Sequence, residues 1–137
     1  MGTWDTGPFD NDTAADWSGE FDDASDGARI EMIEEALRGA ADETDYLEAD
    51  VACEAIAAAA VVASLRPGGP PIESGYAPDF LTGGGRLDLP PELTALAIRA
   101  LDRVTEEDSE WRDLWDEAGT LDDVVAELAP IRAALAS

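Results

Sequence analysis

Thirty-two carboxylates are the chain's main chemical resource, set against eight arginines and one cysteine, with no lysine and no histidine. Carboxylates can transfer protons or hold divalent cations. The missing types exclude more than the present ones suggest. Without histidine there is no Ser-His-Asp or Cys-His nucleophile. A lone Cys53 without histidine cannot build a structural zinc site, and without lysine there is neither a phosphate-binding P-loop nor a Schiff base.

The spacing of the carboxylates narrows the rest. Asp22 to Gly27 reads "DDASDG", the start of a calcium-binding loop, but its third position is Ala24 and its twelfth is Ile33. Two required ligands are absent, so no calcium site is expected. Glu31, Glu34 and Glu35 fall on one helical face, as do Glu107, Glu110 and Asp113. Paired motifs of this kind on adjacent helices bind a metal in all-helical pyrophosphohydrolases. Here no second E-x-x-D follows Glu31-x-x-Glu34 at a sensible distance, and a solvated acidic face is the simpler expectation. Gly83 to Gly85, followed by Arg86, lacks the strand, Lys and Ser/Thr of a phosphate cradle and reads as a turn. No catalytic, cofactor-binding or metal-ligating residue is expected.

What remains is charge. The net charge is −24, distributed as −15 over residues 1–54, −1 over 55–101 and −8 over 102–137. Such a field repels nucleic acid and anionic membranes and attracts a basic protein. The carboxylates expected to meet that partner are Asp10, Asp12, Asp16, Glu31, Glu34 and Glu35. The nearly neutral middle points to a buried centre between acidic outer elements.

The elements that position these groups read as helices. Asp10 or Asn11 can cap a helix running to about Asp22. Ser25-Asp26-Gly27 reads as a break, after which Ile30, Ile33 and Leu37 recur at helical spacing up to Gly39. Tyr46 to Arg66 reads as one Ala-rich helix, apolar nearly all round and therefore central. Its longest apolar run, Ala55 to Ala63, is nine residues, under half a membrane span. Residues 67–85 hold four prolines and six glycines, a long loop that Tyr76, Phe80 and Leu81 would pin to the core. Pro90-Pro91 leads into a helix through Leu93, Leu96, Ala97, Ala100, Leu101 and Val104, with Pro91 in its first turn. Asp108 or Ser109 starts another, with Trp111, Leu114, Trp115 and Ala118 on one stripe. Thr120 then caps a last helix, with Asp123 reaching back to it. Leu121, Val124, Val125, Leu128, Ile131 and Leu135 form its core face, and Pro130 should kink or divide it.

The predicted fold is all-α: one domain spanning 1–137, a bundle of five to six helices around the Ala-rich helix, with a long Pro/Gly loop at about 67–90. The opening "MGTWDTGPFDNDTAADW" reads as an anchored N-terminal turn followed by a helix cap. Trp4, Phe9 and Trp17 supply the apolar area, and Asn11 begins the helix. Trp111 and Trp115 are likewise expected to be structural.

These motifs together resemble a bacterial family known as domain of unknown function 4259. The resemblance rests on Gly2, Trp4, Phe9, Asn11 and Asp12 in a G-x-W-x-x-x-x-F-x-N-D opening, and on the Ala-rich middle helix. It rests also on Asp108, Ser109, Glu110, Leu114 and Trp115 in a D-S-E-x-x-x-L-W element. It implies no activity, cofactor or catalytic residue. The lysine-free composition fits a high-GC bacterium.

With no secretory leader pattern at its start, the chain is expected to be cytoplasmic. Met1 to Thr6 fits the myristoylation pattern, but no polybasic neighbour adds the second signal that stable anchoring needs. The expected function is that of a small acidic binding protein rather than an enzyme: an immunity or inhibitor protein, or a nucleic-acid mimic, docking a basic partner. Two alternatives stand beside it. The first is a structural or oligomerising protein whose acidity is compositional, with a homodimer seam along the Ala-rich helix. The second is an enzyme working through a carboxylate-bound metal.

Overall fold

Helix α1, Asp12–Asp23, begins where the sequence predicts. The Asn11 side-chain oxygen accepts the Ala14 N–H at 2.8 Å, satisfying one of the donors that a helix start leaves free. This computed structural model describes residues 11–66, 78–82 and 87–136. The opening turn with Trp4, Phe9 and Asp10, and Tyr76 in the loop, lie outside the described residues.

Helix α2, Asp26–Ala41, departs from expectation at both ends. The break falls at Ala24-Ser25. Ser25 is the N-cap, and Asp26 and Gly27 are already helical. At the other end the helix runs on through Gly39. A Cβ there would lie 3.2 Å from the Val51 side chain, so this glycine permits close approach of the next helix instead of ending its own.

Helix α3 spans Ala49–Leu65, three residues shorter at its start than predicted. Residues 46–48 are taken by a different partner. Leu47 forms a parallel bridge with Ser109, its N–H donating to the Asp108 carbonyl and its carbonyl accepting from the Glu110 N–H, both at 2.8 Å. Ala55 to Ala63 are all buried, and α3 packs against α1, α2 and three later helices. Small side chains let five helices approach one axis, which makes the Ala-rich helix the centre of the core.

Within the Pro/Gly loop, Asp79–Thr82 forms a single helical turn, α4. Phe80 and Leu81 are half-buried against the core as predicted. Helix α5, Glu92–Thr105, has Pro91 as its N-cap residue rather than inside the first turn. Helix α6, Glu110–Glu117, is capped by buried Ser109, whose hydroxyl accepts the Arg112 N–H. Trp111 is buried, Leu114 and Trp115 are half-buried, and Ala118, predicted on the same stripe, is exposed at the C-cap.

The α6 end explains the failure of the predicted cap on α7, Leu121–Ala136. Gly119, at φ 78°, lets the Thr120 N–H turn back to the Trp115 carbonyl and the Gly119 N–H to that of Asp116, a Schellman closure. That closure occupies the donor Asp123 would have reached. The Thr120 hydroxyl is buried without a hydrogen bond. Pro130 sits inside a continuous α7 and does not divide it. Leu121, Val124, Leu128, Ile131 and Leu135 face the core, but Val125 is 38% exposed, one residue and so about 100° off that stripe. The six predicted helices and the extra turn make seven helices among the described residues, an all-α bundle.

Candidate functional site

The arginines decide how much of the acidic charge reaches solvent. Arg29 spends its guanidinium on the carbonyls of Phe21 and Asp22, at 2.8 and 2.6 Å, closing the end of α1. Arg66 ties the end of α3 to the Ala134 carbonyl of α7 and to Thr94 of α5. Arg103 donates to four carbonyls, those of Glu43, Asp45, Glu107 and Asp108. It thereby clamps the 42–48 connection against the 106–109 turn. Arg38 pairs with Glu34 and Asp42, Arg99 with Asp42, and Arg132 with Asp102 through two bonds. Six of the seven described arginines are thus engaged within the chain.

The carboxylates predicted to meet a partner are mostly left over. Asp12 and Asp16 are exposed, one turn apart on α1, and Glu31 and Glu35 are exposed one turn apart on α2. Glu34 is half-buried and held by Arg38 at 2.8 Å. The two stripes stand on separate helices: α1 packs on α3, α2 on α3 and α5. Among the described residues no hydrogen bond or ion pair joins the stripes. Asp10 lies outside the described residues.

Several of the described motif residues pack against the core or cap helices. Trp17 is buried and stacked on Phe21 at 5.2 Å between ring centroids, and Trp111 meets Trp115 edge-on at 6.5 Å. Asp108-Ser109-Glu110 works as one joint. Asp108 takes a left-handed conformation at φ 61°, Ser109 caps α6, and the Glu110 carboxylate accepts the Ala49 N–H at 2.8 Å. Glu48, the residue placed to cap α3, makes no side-chain cap bond. Glu110 supplies that cap from another helix, where negative charge also suits the positive helix start.

Two acidic clusters escape pattern reading. Glu54, on α3, has its carboxyl pushed up by partial burial, then by the nearby charges of Glu20 on α1 and Asp50 on its own helix. Beside it, burial, with Asp50 and Glu54, pushes the Cys53 thiol up to about 12. Just before α3, Tyr46 is 48% exposed and donates to Asp113 at 2.8 Å. That bond, with the charges of Asp113, Glu110 and Glu117, raises the phenol to about 12. The i, i+4 spacing of Asp50 and Glu54 was visible beforehand. Glu20 and Asp113 are brought in by tertiary packing alone.

Among the described residues no group of three or more Cys, Asp or Glu is disposed to hold a metal ion. No described helix is long and apolar enough to cross a membrane.

Compared with known families, residues 2–127 match the one described as Domain of unknown function (DUF4259), and the chain belongs to it. No curated protein and no solved structure matches the chain.

Proposed function

We propose that this member of the DUF4259 family is a small cytoplasmic binding protein, of the immunity or inhibitor kind, that docks one basic protein and catalyses nothing. The observation that carries this reading is the one-sided use of charge. Six arginines are consumed by carbonyls and a few carboxylates of the chain itself, while Asp12, Asp16, Glu31 and Glu35 stay exposed without a cationic partner among the described residues. Carboxylates at helical spacing present a row of negative charge, as a phosphate backbone does. Rows of this kind steer a basic partner into contact and reject nucleic acid. The Ala-rich surface of α3 is spent inside the bundle, so a second copy of the chain would have to use another face.

The test compares two tagged proteins as baits in native cytosol at physiological salt: the wild type, and a variant carrying D12N, D16N, E31Q and E35Q. The reading predicts one dominant basic protein on the wild type and a marked loss of it on the variant. Equal recovery on both baits would remove these stripes from the account.

A further inference from the structure

The short turn α4 lies across the corner where α1 meets α2, and its attachment is unlike that of the other helices. Pro78 is fully buried, with Phe80 and Leu81 half-buried behind it. The N–H groups of Asp79 and Phe80 both donate to Asp22, one to each carboxylate oxygen, at 2.9 Å. The Phe80 ring lies 4.0 Å from the Arg29 guanidinium carbon and meets the Phe21 ring edge-on at 6.0 Å. Arg29 in turn holds the carbonyls of Phe21 and Asp22. One carboxylate and one guanidinium, seven residues apart in sequence, therefore grip both the segment and the end of α1. A single turn has too few internal bonds to persist alone. Beneath it lie Phe21, fully buried, and the Trp17 ring stacked on it.

We propose that residues 78–82 are a releasable strap, latched by Asp22 and Arg29, whose departure as a unit uncovers the Phe21 and Arg29 corner while the bundle stays folded. Short surface segments with few internal hydrogen bonds open below the global unfolding free energy. The strap does not depend on the identity of any partner. Its release would add aromatic surface at the C-terminal end of α1.

Amide-resolved hydrogen exchange by NMR on the intact chain, wild type and Asp22→Asn, tests this. The Asn side chain keeps one acceptor oxygen, so one of the two backbone bonds is lost without removing bulk. The amides of Asp79, Phe80 and Leu81 should exchange as one group, faster than Ala58 and Val61 in α3. Asp22→Asn should speed that group by roughly tenfold to a hundredfold and leave α3 unchanged. Phe80→Leu, which removes the ring from Arg29 but keeps apolar cover, should act in the same direction. Exchange of the group in step with α3 would overturn the proposal. So would an Asp22→Asn variant that leaves the group at its wild-type rate or moves α3 equally.

Discussion

Replacing Arg103 by alanine should be among the most damaging surface substitutions in this chain, and Arg38→Ala supplies a control matched in charge. Both changes make an already strongly negative protein more negative by one unit, so the general cost of self-repulsion is common to them. Arg103 makes four hydrogen bonds to carbonyls at 2.6–3.2 Å, joining two connections sixty residues apart in sequence. A bond to a charged donor contributes about 1.5–3 kcal/mol when its partner would otherwise be stranded. Three of these four bonds lie at the surface, where water can replace the guanidinium. Keeping about a third of the gross value leaves about 2–4 kcal/mol. At about 3–4 °C per kcal/mol for a chain of this length, Tm should fall by roughly 6–16 °C. Arg38 makes exposed pairs with Glu34 and Asp42, worth at most about 1 kcal/mol, or less than about 4 °C. Thermal and urea unfolding followed by circular dichroism at moderate salt measure both. If Arg103→Ala costs no more than Arg38→Ala, the clamp contributes nothing beyond its charge.

Three further outcomes follow from the core and its titrating groups. Cys53, held near 12 by burial and by Asp50 and Glu54, should react with Ellman's reagent at pH 8 at least about a hundredfold more slowly than a free thiol of pKa near 8.5. A comparable rate would show the thiol to be accessible and its pKa unraised. Glu54, with its carboxyl raised in the fold, adds stability only below the unfolded carboxylate range and loses it as pH rises through the folded value. Glu54→Gln should therefore raise Tm at pH 7, and the gain should vanish in acid. An equal gain at both pH values would refute this. Ala58 is fully buried at the crowded centre of α3, so Ala58→Leu should cost about 1–3 kcal/mol in urea unfolding. Ala133→Leu, on the exposed side of α7, should stay within about 0.5 kcal/mol.

Local chemistry made much of this fold legible. Asn11 and Ser109 are capping residues next to apolar runs, and both cap. The run from Ala55 to Ala63 could only be central, and it is. Failures occur where a distant residue claims a group that local pattern would assign elsewhere. Residues 46–48 continue the helical pattern of α3, yet Leu47 pairs with Ser109, and Glu110 takes over the cap. Thr120 and Asp123 have the types of a capping pair, but the Schellman closure of α6 reaches Thr120 first. The clamping roles of Arg29 and Arg103 left no trace in the sequence, because the backbone carbonyls they bind have no residue signature. The candidate carboxylates on α1 and α2 were legible as charge. Their exposure depended on where the arginines went, which only the fold decides.

If the acidic surface serves one basic partner, that complex should outlast a rise in salt that strips non-specific proteins. Wild-type tagged protein should be incubated with its native cytosol and washed at low and then physiological ionic strength, with both eluates read by mass spectrometry. Exposed charge pairs weaken over a screening length of about 8 Å at physiological salt, so non-specific basic proteins should leave. One basic protein should stay bound through the second wash, in a fixed ratio to the bait. Release of all bound proteins together in the moderate-salt wash would contradict it, and the charge would then reflect composition alone.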